Sequence, residues 1–142
     1  MQITRQADYA MRAVIYLAEI EPDRRAATSL IAEAQHIPPS FLAKIVSQLS
    51  VAGLLQTSRG ARGGVSLARS ADEISLLEVI EAIDGPILLN ECVADSGVCT
   101  FGEKCVLRPV FCDAQSALVS QLSNTSFGDI TSTNGKTLPT AS

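Results

Sequence analysis

Aromatic side chains are scarce in this chain of 142 residues, making up only 4% of it. Proteins that hold single-stranded nucleic acid stack successive bases on such rings, so the shortage argues against that class of partner. Long apolar runs are missing near the start. Ala13–Ala18, closed off by Arg12 and Glu19, falls far short of the ~20 residues that a membrane-spanning helix needs, and it lacks the order of a signal peptide. No paired-carboxylate, Ser/His/Asp or phosphate-loop constellation occurs, so nothing points to an enzyme. The one histidine, His36, sits in a turn and reads as a surface or capping residue. There are no internal repeats. What remains is a cytoplasmic protein with no membrane segment, built as one domain or as a small domain with an appendage.

The net charge of −4 conceals an asymmetry. Residues 1–70 carry eight Lys/Arg against five Asp/Glu, and residues 71–142 carry three against ten. A basic first half attached to an acidic second half suits a nucleic-acid partner, because the field near the contacting face matters more than the total.

Between Thr4 and Ile20 the apolar positions Ala7, Met11, Val14 and Ala18 follow helical spacing. "EPDRRAA" breaks the pattern as a loop, and Thr28 is suited to cap a short helix running to Glu33 or Ala34. "QHIPPS" is a turn, with Pro39 fit for the first position of a helix over 40–52. In that helix Phe41, Leu42, Ile45, Val46 and Leu49 form the inner stripe, while Ser40, Lys44, Ser47 and Gln48 point away. Two short helices joined by a tight turn, the second with a polar face, make a helix-turn-helix pattern.

Two β-like runs follow, "LLQTS" and "VSLAR", bracketing "RGARGG". Such a hairpin tip is a flexible, basic wing that can approach a phosphate backbone closely. Duplex DNA binding is the functional reading, and a three-helix core with an incidental hairpin is the plain alternative. The expected DNA contacts are Ser40 and Lys44 at the front of the recognition helix and Arg59 and Arg62 on the wing. Thr28, Ser29, Phe41 and Gly60 complete the set. Lys44 is equally explained as a solvated charge.

"EISLLEVIEAI" (73–83) reads as a further amphipathic helix ended by Gly85-Pro86. Beyond it Val106, Val110, Ala114, Leu118 and Leu122 recur every four residues, describing one long helix with an apolar ridge. That ridge fits a dimer interface, the alternative being a helix folded back on its own domain. The Ser/Thr-rich stretch after Ser123 reads as a mostly flexible tail, with Phe127 and Ile130 as anchors for a last turn.

All four cysteines, Cys92, Cys99, Cys105 and Cys112, lie in one stretch. In a cytoplasmic chain such a cluster points to metal binding or redox chemistry rather than disulfide staples. The C-x2-4-C pairs of structural zinc sites are absent, and the wide spacing suits thiolate ligands spread around an iron–sulfur cluster. Cys112 falls on the long helix, where a small buried side chain is an adequate explanation. Three loop ligands plus a fourth from elsewhere is the resulting reading. A thiol or zinc switch, or a small iron–sulfur carrier, stays as an alternative.

Together "ADYAMRAVIYLA", "IPPSFLAKIVSQL", "SRGARGGVSLAR" and the Cys92/Cys99/Cys105 triad followed by "LRPVF" resemble the Rrf-two family of winged helix-turn-helix transcription regulators, from Met1 to about Ile130. The resemblance implies a homodimer on double-stranded promoter DNA, commonly as a repressor. Each subunit would hold one iron–sulfur cluster ([2Fe-2S] or [4Fe-4S]), and redox state, nitric oxide or iron supply would alter its grip on DNA. Where some members place a histidine ligand after the last cysteine, this chain has Val106, Leu107 and Arg108. Where nitric-oxide-sensing members place an aspartate in the first helix, it has Asp8, which makes Asp8 of a partner subunit the implied fourth ligand and a local salt bridge its rival. Ala43 stands where some members carry a glutamate that tunes operator choice. The expected architecture is mainly α: a winged helix-turn-helix domain (1–84) with a two-stranded wing, a cysteine loop (85–105), a dimerisation helix (106–124) and a mostly flexible tail (125–142).

Overall fold

Helix α1 (Arg5–Glu19) begins where Thr4 Oγ1 accepts a hydrogen bond from the Ala7 N–H at 3.1 Å, a side-chain cap that supplies one of the helix's orphan donors with an acceptor. The computed structural model describes residues 2–20, 24–61, 63–89 and 106–132. Ala7, Ala10, Ala13, Val14 and Leu17 form the buried stripe of α1, and their small size lets α1 run through the middle of the domain. Helices α2 (Thr28–Gln35) and α3 (Pro39–Val51) pack on it and on each other. His36 closes α2 in the left-handed conformation (φ 53°, ψ 44°) and donates its N–H back to Ala32 and Glu33 carbonyls, which turns the chain into α3.

Thr28 does not cap α2. The cap position is Ala27, and Thr28 is the first helical residue. The cause lies upstream: Ala26 pairs with Val65 through two backbone hydrogen bonds of 2.9 and 2.8 Å, and this extended pairing runs directly into the helix. Pro39 does open α3. The inner stripe of α3 is Leu42, Ile45, Val46 and Leu49, all buried; Phe41 is 43% exposed and is no part of it.

Strands β1 (Leu55–Ser58) and β2 (Gly64–Leu67) form an antiparallel hairpin with Leu55 opposite Leu67 and Ser58 opposite Gly64. Ala26 adds a one-residue third edge. A 3-10 turn (Ala71–Glu73) precedes α4 (Leu76–Asp84), so the helix starts three residues later than its periodicity predicts. Ser75 sets the start: its hydroxyl accepts from the Glu78 N–H, and the Glu78 carboxylate accepts from the Ser75 N–H, a reciprocal capping box.

Helix α5 (Arg108–Ser123) rests against α4 and contains no fully buried residue. Val106 lies ahead of it and is 85% exposed; the expected helix begins late because Pro109 favours its first turn. Helix α6 (Phe127–Ser132) follows. It occupies part of what composition assigns to a flexible tail, and Phe127 is among the fully buried side chains. Ser126 and Asp129 cap α6 reciprocally at 3.1 and 3.0 Å. The Phe127 N–H donates to the Ile74 carbonyl, and the Leu76 N–H donates to the Thr125 carbonyl, both at 3.0 Å. One ring filling the core, two capping hydrogen bonds and two backbone hydrogen bonds to the start of α4 and to Ile74 before it hold this polar stretch in place. Among the described residues, no helix is long and apolar enough to cross a membrane. The protein is thus mainly helical, with a two-stranded winged helix-turn-helix unit.

Candidate nucleic-acid interface

The helix-turn-helix and the hairpin meet around a cleft of about 300 Å³, lined by Ala27, Thr28, Val46, Thr57, Ser58, Gly60, Gly63, Gly64 and Val65. No carboxylate is among these residues, and Arg59 stands exposed beside them. The bridge from Ala26 to Val65 brings the start of α2 against the wing. Thr28, Ser29, Ser40, Phe41, Lys44, Arg59 and Gly60 are all exposed, whereas Arg62 lies outside the described residues. The structure therefore gathers Thr28 and Gly60 at one cleft, while Ser40, Phe41 and Lys44 occupy the first turns of α3.

Neither α2 nor α3 has a side-chain cap or an acidic residue in its first turn. By contrast α1, α4 and α6 are capped by Thr4, Ser75 and Ser126. An uncapped helix start presents backbone N–H groups and the positive end of the helix dipole, which is the arrangement that receives a phosphate.

The wing tip depends on glycine. Gly60 has φ +99°, and a Cβ added to Gly63 would lie 2.5 Å from the Ser58 carbonyl oxygen and 2.8 Å from that of Gly60. The Gly63 N–H closes this turn on the Gly60 carbonyl at 2.8 Å. No other residue fits such a contact without moving backbone.

Asp8 lies in the first turn of α1 with its side chain 48% exposed, and its Oδ2 accepts from Arg12 Nε at 3.0 Å. This is the local salt bridge that the sequence left as the rival role. So exposed a pair contributes little to stability. Tyr9, the next residue, packs against Phe41 with ring centroids 6.2 Å apart. That contact ties the first turns of α1 to the start of the recognition helix; the sequence held no signal for it, since the two residues meet only through tertiary packing. Cys92, Cys99 and Cys105 lie outside the described residues. Cys112 is a half-buried free thiol on α5. Among the described residues no group of three or more His, Cys, Asp or Glu is placed to hold a metal ion.

Val110 and Ala114 on α5 are exposed, with Leu118 and Leu122 half-buried. The ridge is thus open along its first half, where Val106 and Leu107 extend it.

The family model of the Rrf2 (Rrf-two) group, described as iron-dependent transcriptional regulators, matches residues 3–133. The chain belongs to the Rrf2 family. An HTH-type transcriptional regulator of Mycobacterium tuberculosis is 32% identical over 130 residues, covering 92% of this chain and 81% of the relative. Among solved structures, CymR, the global cysteine regulator of B. subtilis, is 25% identical with a TM-score of 0.75, covering 93% of this chain and 97% of that one. T. potens IscR shares the fold at 20% identity with a TM-score of 0.76, covering 97% of this chain and 93% of that one. This Rrf2 protein is a winged-helix, DNA-binding transcription regulator, as its relatives are named transcriptional regulators.

Proposed function

We propose that this Rrf2 protein is a homodimeric, promoter-binding sensor, in most settings a repressor, that reads iron, redox or nitric-oxide status through an iron–sulfur cluster held by Cys92, Cys99 and Cys105. The observation that carries the DNA reading is the carboxylate-free cleft where Thr28 meets the Gly60–Gly63 wing turn. The uncapped starts of α2 and α3 take phosphates, Ser40, Phe41 and Lys44 face the major groove, Arg59 contacts the duplex from the wing, and Arg62 is a further DNA contact on the strength of the sequence alone. Arginine is the best single reader of guanine, which it holds with two hydrogen bonds. The ridge of Val106, Val110, Ala114, Leu118 and Leu122, open along its first half, pairs with its copy, so that two recognition helices address two half-sites.

The chemistry of the donors suits the cofactor: three cysteines in one stretch of the sequence, and an Asp8 carboxylate whose side chain is 48% exposed. When bound, the cluster would supply iron that is reactive towards oxidants and nitric oxide, and Asp8, as an oxygen donor, would hold that iron more weakly than the three thiolates would. The chain's own part is mechanical. Were Asp8 to leave Arg12 for a ligand role, the first turn of α1 would move with it, and the Tyr9–Phe41 contact would pass the movement to the start of α3. A displacement of about 1–2 Å misaligns paired recognition helices, and a coupling of about 1–3 kcal/mol, roughly 5–150-fold in affinity, makes a switch.

The description of the family as iron-dependent supports this reading. A cluster-free thiol switch is the second reading, favoured by the likeness to CymR and by the free Cys112 thiol. The deciding experiment is the visible spectrum of anaerobically purified protein, with iron, sulfide and zinc counted on the same sample. Iron and sulfide in a brown protein that nitric oxide or air bleaches support the cluster; a colourless protein that resists reconstitution supports the thiol switch. Asp8→Ala leaves the fold intact and shortens cluster lifetime, and an unchanged lifetime removes Asp8 from the ligand set.

A further inference from the structure

Between the end of α4 and the cysteine segment runs a short stem, residues 84–89, which two other elements grip by side chains. Asp84, the last residue of α4, accepts hydrogen bonds from the Thr4 N–H at 3.2 Å and from the Thr4 hydroxyl at 2.5 Å. Thr4 is the cap of α1, and its carbonyl accepts from the Asp8 N–H at 3.0 Å. Asp84 is therefore two hydrogen bonds away from the backbone of Asp8. Its placement runs against its own helix, since a carboxylate at a helix C-terminus faces the negative end of the dipole. The start of α1 offers the opposite pole, and Asp84 reaches for it.

The second grip comes from α5. The Gln115 amide oxygen accepts from the Leu89 N–H at 2.9 Å, and the Gln115 amide nitrogen donates to the Ile87 carbonyl. One side chain thus holds one edge of the stem through both a donor and an acceptor, as a neighbouring strand would. Thr4 and Asp84 are exposed and Gln115 is only half-buried, so these bonds add little to global stability. What they do is join the stem to α1 on one side and to α5 on the other. A stem that shifts has to move the cap of α1, slide along α5, or break these bonds.

We propose that Asp84 and Gln115 are positioning residues which make 84–89 a transmission stem: Asp84 passes the state of the cysteine segment to α1, and Gln115 passes it to α5. From α1 the path continues through Tyr9 and Phe41 to the recognition helix. This inference rests on the reading of the cysteine segment as the sensor.

The test compares wild type, Asp84→Asn, Gln115→Leu and Thr4→Ser, each as full-length protein with and without its cluster. The DNA is one duplex selected by the wild type from a random pool. The readouts are the affinity ratio between the two states and amide hydrogen exchange at Leu89 and Ala7 in the cluster-free protein. Asp84→Asn and Gln115→Leu are expected to fold and to bind DNA cluster-free within about 2-fold of wild type. Their affinity ratio should fall from a wild-type value on the order of 5–150 towards 1. Gln115→Leu should raise exchange at Leu89, and Thr4→Ser, which keeps the hydroxyl, should retain the wild-type ratio. A Gln115→Leu protein whose Leu89 exchanges faster while its ratio stays at the wild-type value overturns the stem and leaves the sensor standing. A wild type whose DNA affinity is indifferent to the cluster overturns the sensor and the stem with it.

Discussion

Phe127 lies beyond the long helix in a stretch rich in serine and threonine, yet its side chain is fully buried in the same core as Val14, Leu42 and Ile74. Replacing it by alanine tests whether α6 is part of the folded unit or an accessory. A phenylalanine of this kind removes roughly 150–200 Å² from water, which at ~25 cal/mol per Å² is about 4–5 kcal/mol. Large-to-small substitutions of buried phenylalanine cost about 3–5 kcal/mol once the residual cavity is included. The neighbouring backbone bonds, Phe127 to Ile74 and Leu76 to Thr125, flank the ring and should loosen with it, so the upper half of that range applies. With a urea slope of about 2 kcal/mol per M for a domain of this size, the unfolding midpoint should drop by about 2 M. The measurement is a urea titration followed by far-UV circular dichroism, with wild type and variant at one protomer concentration, because any dimer contributes by mass action. Phe127→Leu, which keeps most of the volume, should cost about 1 kcal/mol. A midpoint shift below about 0.5 M for Phe127→Ala would refute the reasoning, since the ring could not then be filling the core.

Gly63→Ala should leave global stability nearly unchanged but weaken DNA binding at least about 10-fold, because the added Cβ meets the Ser58 and Gly60 carbonyls and the wing must reshape; a mobility-shift titration beside a melting curve separates the two effects, and unchanged affinity counts against the wing. Arg59→Ala should cost about 1–3 kcal/mol and relax preference at one base pair if the side chain reads a base, whereas a uniform loss with a salt slope lower by about 1 marks a phosphate contact. Glu78 tests the capping box by pH. Partial burial pushes its carboxyl up, but the Ser75 N–H and the Arg69 guanidinium at 2.8 Å outweigh this and hold it below its ordinary 4.5. A carboxylate whose pKa is depressed by folding contributes stability above the unfolded value and loses it as pH falls through the folded one. Wild type should therefore lose an increment below about 1 kcal/mol on acidification past 4.5, and Glu78→Gln should lack that step; a wild type that gains stability there contradicts the assignment.

How much of this was legible in the sequence depends on whether the cause was local. The helices announced themselves through apolar spacing, Pro39 marked the start of α3, and Gly85 the end of α4. Ser75 and Glu78 form an S-x-x-E capping signature just before an apolar run, so the start of α4 was also available to a closer reading. Thr28 misled because its capping chemistry is right but its position is decided by Val65, a residue nearly forty positions away that holds Ala26 extended. Phe41 misled in a similar way. Its spacing fits the buried stripe, while the presence of Tyr9 on α1 gives it a half-exposed aromatic seat instead. The tail was hardest, because polar composition outweighs one phenylalanine in any local average, and only the tertiary core shows where that ring goes. Arg62 and the three loop cysteines lie outside the described residues, so their roles rest on the sequence and on the family.

The distribution of helix caps connects stability to function in one step. A missing cap costs a helix about 1 kcal/mol; α2 and α3 both lack one, as does α5, where Pro109 opens the first turn, while α1, α4 and α6 carry theirs. If caps were placed for stability alone, the two helices of the central motif would be poor places to omit them. The start of α2 lies in the wing cleft and both starts are exposed and free of acidic first-turn residues, so that a duplex would supply the acceptor oxygens that the chain withholds. The fold is in this sense incomplete on one face. Phosphates would take the positions that serine and threonine occupy elsewhere, so DNA binding and stabilisation of the helix-turn-helix are the same event, and anything that shifts the start of α3 through Phe41 acts on both together.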